Sequence, residues 1–364
     1  MSSVQSSDNR IKWLDMARAI AILCVVICHI NDNVYSINAE FMTSLGFIPE
    51  FIALFLRTLG RAGGVPIFLM LTGYLLLDRD YDEQAMKHFW KDKWLHLLIC
   101  TWIWIVIDRI FMYFIGRGVS VTDTVREILF LKSVELGHAW YMPMIIGMYL
   151  LIPFVARGLK KINPSAYLPV IIILILMVFA YPTLYSVNHL AVLNSIVGRE
   201  LSLQINLGFS GGAYGMYMIF GYLIKTGLFK KIRSYILWIV FALAFLGTVF
   251  FQIWMFAGGY SYDLWYNNLL VFITSASLFE LMSRTDKVYA YPAVKVIAYY
   301  SFAIYLVHNL ILLAVFKVLK ANDIHIGYVP AHVIMLIAVT GLALAVVWAI
   351  SKIPKAGKYI FYLK

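Results

Sequence analysis

Apolar stretches of about twenty residues recur along the whole chain, and they leave it few ways to fold. Of its 364 residues 62% are hydrophobic and 13% charged, with a mean hydropathy of +0.81, far outside the range of a water-soluble globule. The bilayer core offers no water to backbone N–H and C=O groups, so a spanning segment must be a helix or part of a closed barrel. No strands of alternating polarity occur, which selects helices. The expectation is an all-α, polytopic membrane helical bundle.

Hydropathy places about ten transmembrane helices, near 13–33, 51–77, 94–116, 138–156, 166–186, 205–225, 234–256, 264–283, 293–318 and 328–351. The net charge of +11 raises nucleic acid as a partner, but the positions of the cations explain it better as topology. With the N-terminus inside, 20 of the 30 Lys and Arg fall in inner segments, while only Arg117, Arg126, Lys132, Arg199, Lys317 and Lys320 lie outside. The positive-inside rule then predicts both termini cytoplasmic, membrane lipids as the surroundings and no nucleic-acid partner. The first apolar run carries Asp15 and Arg18 without a small-residue cleavage site, so a retained span is expected, not a signal peptide. Cys24, Cys28 and Cys100 fall inside apolar segments, with neither a disulfide framework nor zinc spacing, and no metal is expected.

Arg18, Arg57, Arg61 and Arg109 fall in or at the ends of spans, where a charge is costly and marks function by default. In RIKWLDMARAIAILCVVICHI the eleven-residue interval from Arg18 to His29 returns both side chains to within about 20° of one face, and Asp15 joins that stripe within about 40°. Arg18 lies near the inner boundary and can clamp an anion bidentately, with Asp15 orienting it; a snorkelling anchor is the structural alternative. His29 lies roughly 24 Å further up from Trp13. Depth favours its neutral imidazole, which can accept a proton or attack an acyl group.

Asp108 and Arg109 reach a similar depth in the third span; Asp108 could orient His29, or both could pair between helices. Arg57 and Arg61 form an i,i+4 pair before the Gly63-Gly64-Pro66 break. Arg61 is the better acceptor contact, while Arg57 suits a solvated outer turn equally well. Lys91 and Lys93 begin the third span as topology determinants or phosphate contacts. Trp140 and Tyr141 fit an outer aromatic belt or a stacking site, with His138 beside them. In SFAIYLVH, Ser301, Tyr305 and His308 share one side of the ninth span, and His308 lies near the depth of His29. Finally, Gly63, Gly64, Met70, Gly73, Tyr74 and Leu75 recur at the spacing of Gly211, Gly212, Met218, Gly221, Tyr222 and Leu223, which reads as a shared solution for close helix packing.

The Arg18/His29 pattern behind Asp15 resembles the integral membrane acyltransferase-3 family. GVPIFLMLTGYLLL at 64–77 looks like that family's second-helix segment, and AWYMPMIIGMYLLIPFV at 139–155 and SFAIYLVH at 301–308 are similar to its later signatures. The resemblance implies a single integral membrane acyltransferase domain over 1–364, in a bacterial inner membrane. It further implies an O-acetyltransferase taking acetyl groups from acetyl-CoA, the acyl-CoA donor and co-substrate, to a glycan or lipid-linked glycan acceptor. By the same resemblance His29 would be the essential catalytic residue and Arg18 its partner; the residues' own chemistry adds Asp15 as support, Arg18, Lys91 and Lys93 as expected donor contacts, and Arg61, Asp108, Trp140, Tyr305 and His308 as the expected acceptor lining. Relatives commonly carry an arginine pair where this chain has Lys91 and Lys93, and lysine holds phosphate as a point charge without the fork. From another class, an exporter or carrier of glycan or small anions also suits many spans with buried charge.

Overall fold

The computed structural model describes residues 10–134, 138–187, 212–324, 326–353 and 355–363. The helices are α1 Lys12–Val34, α2 Ala39–Ser44, α3 Phe47–Gly63, α4 Val65–Leu76, α5 Glu83–Phe89, α6 Leu95–Phe114, α7 Val121–Ile128, α8 Tyr141–Lys161, α9 Pro164–Ile175, α10 Tyr181–Ser186, α11 Gly212–Lys225, α12 Ser234–Ala257, α13 Leu269–Ser283, α14 Tyr291–Ala321, α15 Tyr328–Ser351 and α16 Ala356–Phe361. Single π-helical turns at Trp90–Trp94 and Leu176–Ala180 fuse α5 to α6 and α9 to α10. Among the described residues, eight helical stretches are long and apolar enough to cross a membrane, and the shorter apolar α13 lies between them in sequence. The chain is thus an all-α, multi-pass helical bundle. The expected start of the sixth span (205–211, including Gly211), Arg199, the loop at 188–204 and Lys364 lie outside the described residues.

Helix α1 is the axis of the bundle. Asp15 meets Tyr291 and His29 meets His308, so α14 runs parallel to it. Gly60 and Gly63 lie against Cys28 and Cys24, so α3 runs the other way. A Cβ at Gly60 would sit 2.8 Å from that of Cys28, so glycine there lets α3 approach α1 right beside His29. A tighter approach joins α4 to α11. A Cβ on Gly73 would collide with the carbonyl of Met218, and one on Gly221 with the carbonyl of Met70. The repeated Gly-Met spacing in the sequence is therefore one reciprocal crossing: each segment's glycine receives the other's methionine backbone, with small residues replacing the hydrophobic drive that lipid removes.

Several differences from the hydropathy reading matter for the site. The second span begins at Phe47 and is interrupted at Gly64, where Pro66 opens a new helix. The eighth expected span begins only at Leu269, as α13 capped by Asn268, because residues before it form a non-helical loop. Helix α7, inside an expected loop, supplies Glu127 to Arg109. The chain's last helix turns back into the bundle: Phe361 is fully buried, and the Ile360 carbonyl accepts from Trp104 Nε1 at 2.6 Å and Cys100 Sγ at 3.2 Å.

Candidate active site

Three imidazoles meet at one end of the bundle. His29 comes from the last turns of α1, His308 from the middle of α14 and His138 from the segment leading into α8. The ring centroids are 5.2 Å apart for His29 and His308, 5.0 Å for His138 and His308, and 5.9 Å for His29 and His138. His308 is fully buried, with Nδ1 2.6 Å from the Tyr305 carbonyl and 3.2 Å from that of Ile304. Carbonyl oxygens only accept, so Nδ1 carries the proton of the neutral ring and Nε2 holds the lone pair. That Nε2 is buried and has no hydrogen-bond partner. The Asn309 amide, oriented with its nitrogen toward the ring, donates to His138 Nδ1 at 3.1 Å, and Tyr305 donates to the His138 carbonyl at 2.8 Å. In this arrangement the second proton position of His138, Nε2, is a donor.

His29 and His138 open onto a cavity of about 320 Å³ whose wall also includes Asp32, Arg61, Trp140 and Trp265. Arg61 is buried, its guanidinium 5.0 Å from the Trp265 ring and 5.7 Å from that of Tyr266. Its ionic contacts are long, 3.5 Å to Asp32 and 4.0 Å to Asp263. Arg57, one turn away, is tied down instead: it donates to the Tyr262 carbonyl at 3.0 Å, Gln252 at 3.2 Å and Asp263 at 2.8 Å. Its anchoring fixes the loop that delivers Trp265 and Tyr266. The solvated turn entertained for Arg57 is corrected here, since it is the more buried of the two. The cavity's charge and aromatic faces suit a polar ring-shaped ligand, which stacks on indole and presents hydroxyls to imidazole and carboxylate.

At the far end of α1, roughly 16 Å along the axis from His29, Asp15 is buried. It accepts from Arg10 at 2.6 Å, Tyr291 at 2.9 Å and Arg18 at 3.3 Å. Arg18 keeps about a third of its side-chain surface open, 31%, so an oriented guanidinium still has N–H groups to offer. Tyr149 lies within electrostatic reach of Arg18 and Arg79. Lys91 and Lys93 occupy the π turn, which Trp90 and Trp94 pin to α8 by donating to Leu150 and Ile146 carbonyls. They sit on a different element from Arg18.

Of the residues singled out in the sequence, the structure gathers His29, Arg61, Trp140 and His308 at one place, with Tyr305 supporting His138. Asp108 and Arg109 separate: Arg109 makes a two-pronged ion pair with buried Glu127, and Asp108 lines a small cavity of about 30 Å³ with His138 and Tyr305. Asp108 therefore neighbours His138; the sequence had left it between orienting His29 and pairing between helices. Sequence reasoning passed over Asp32, Trp265, Tyr266 and Asn309, and left His138 as a neighbour only. Asp32 was findable, three residues beyond His29 and on its face; Trp265 and Tyr266 lay hidden in a segment read as helix. No group of three or more His, Cys, Asp or Glu among the described residues is placed to hold a metal ion.

An imidazole cluster enclosed by membrane-length helices, opening on a charged and aromatic cavity, defines a multi-pass membrane protein with a buried polar site. The acyltransferase-3 family model, described as an acyltransferase domain, matches residues 11–352, and the chain belongs to that family. Neither the curated proteins nor the solved structures contain a significant match to it.

Proposed function

We propose that the chain is a membrane O-acetyltransferase, a single domain of ten crossings with both termini in the cytoplasm of a bacterial inner membrane. It moves an acetyl group from acetyl-CoA to a hydroxyl of a glycan or its lipid-linked precursor. The observation that carries this reading is the layout of α1: an oriented Arg18 with about a third of its side chain open at one end, and His29 opening onto a polar cavity at the other. Arg18 receives donor phosphate as a bidentate clamp, with Lys91 and Lys93 on the π turn adding point charges. The acceptor sugar occupies the cavity, stacked on Trp140 and Trp265 and held by Arg61.

His29 acts as the base. It takes the acceptor hydroxyl's proton as the oxygen attacks the thioester carbonyl; the new C–O bond forms, the C–S bond breaks, and the leaving sulfur takes the proton from His29. His138 Nε2–H is the donor available at the cavity for the oxygen on which charge develops. Reconstituted protein is expected to release free CoA from acetyl-CoA only when glycan is supplied, and His29→Gln to fall to background. Glycan flux without CoA release, or full turnover by His29→Gln, contradicts the proposal.

A further inference from the structure

We infer that His308 is the positioning residue for His29: its buried Nε2 lone pair accepts the N–H of His29 and so turns the other His29 nitrogen, unprotonated, toward the cavity. The inference rests on the reading of His29 as the base. A neutral imidazole has one proton, and it works as a base only if that proton sits on the nitrogen facing away from the substrate. Something must hold it there. Around His29 the other acceptors, the Asp32 carboxylate and the Asn309 amide oxygen, belong to the cavity wall, while His138 has its Nδ1 occupied by Asn309 and offers a donor at Nε2. His308 has its tautomer fixed by two backbone carbonyls, so its remaining nitrogen can only accept. That nitrogen is fully enclosed and unpartnered, on a ring whose centroid is 5.2 Å from that of His29.

An unmet buried acceptor is costly, and an N–H from the neighbouring His29 ring would satisfy it. During transfer His29 gains the hydroxyl proton and becomes imidazolium; the bond to His308 then becomes charge-assisted and strengthens in the transition state. The proton returns to the leaving sulfur, and His308 is unchanged at the end of the cycle. Its role is the one an orienting carboxylate fills elsewhere, supplied here by a neutral ring that does not place a second charge in the membrane.

Two isosteres separate this role from a structural one. Asparagine places its amide where Nδ1 lies, keeping the bond to the Tyr305 carbonyl while removing the acceptor. Glutamine places its amide oxygen near Nε2 and keeps the acceptor. The expected result, on full-length protein that elutes as a single species in detergent, is that His308→Asn lowers kcat about 100-fold with the acceptor KM little changed. His308→Gln is expected to keep kcat at least tenfold above His308→Asn. Any smaller gap, including both variants active or both equally impaired, overturns the inference. His29→Gln is measured alongside: its full activity would remove the base itself, whereas an inactive His29→Gln with an active His308→Asn removes only the role of His308.

Discussion

Arg57 and Arg61 stand one turn apart on α3, both buried, and they do opposite things. Arg57 has three partners within 3.2 Å, on α12 and the loop after it. Arg61 has two distant carboxylates, a hydrogen bond to the Tyr266 hydroxyl and two aromatic faces, and it borders the cavity. A guanidinium whose terminal N–H groups are mostly used up locally is part of the scaffold; one held mainly by ring faces and a single hydroxyl keeps N–H groups for a ligand. Arg109, clamped by Glu127, repeats the first pattern on α6. The lesson is that buried charge in this bundle marks function only where its hydrogen-bonding capacity is left open.

The largest effect expected from this contrast is at Arg109. Arg109→Met strands Glu127 as a lone buried carboxylate and should cost about 3–5 kcal/mol, read as a lower melting temperature in detergent. Arg109→Met with Glu127→Leu should recover most of that loss; failure of the double variant to recover would mean that the pair does more than neutralise itself. Next is Arg57→Met, which leaves the Tyr262 carbonyl and Gln252 short of a donor and should destabilise by about 2 kcal/mol. A wild-type melting temperature for that variant would break the division into scaffold and site.

Arg61→Lys should do the reverse. Stability is expected to stay within about 1 kcal/mol of wild type, since lysine retains the charge beside the indole, while the acceptor KM rises about tenfold because the fork is gone. Trp265→Phe should be milder still, raising the acceptor KM a few-fold with kcat unchanged. A fall in kcat without a change in KM in either variant would place the acceptor elsewhere.

Much of the scaffold was written in hydropathy. The first, seventh and tenth spans are found at Lys12–Val34, Ser234–Ala257 and Tyr328–Ser351, within a residue of where apolar runs put them, because bilayer thickness fixes length and polarity fixes ends. What hydropathy could not show is where an apolar run is not helical. Trp265 and Tyr266 read as span, yet they belong to the loop that completes the cavity wall. Likewise Glu127 sat in a polar segment with no local sign that α7 carries it to Arg109. The stripe of Asp15, Arg18 and His29 was legible because helix geometry alone relates its members. The meeting of His29 with His138 and His308 depends on three segments far apart in sequence, and only their similar depth hinted at it.

The central claim is that α1 joins a donor end to an acceptor end across the membrane. Proteoliposomes with acetyl-CoA supplied only on the Arg18 side and glycan only on the His29 side test it directly, with vesicles sorted by the accessibility of the Trp13 end to an impermeant label. The account predicts acetylated glycan on the His29 side with CoA accumulating on the Arg18 side, and neither when the two substrates exchange sides. Equal acetylation with both substrates confined to one side would contradict it.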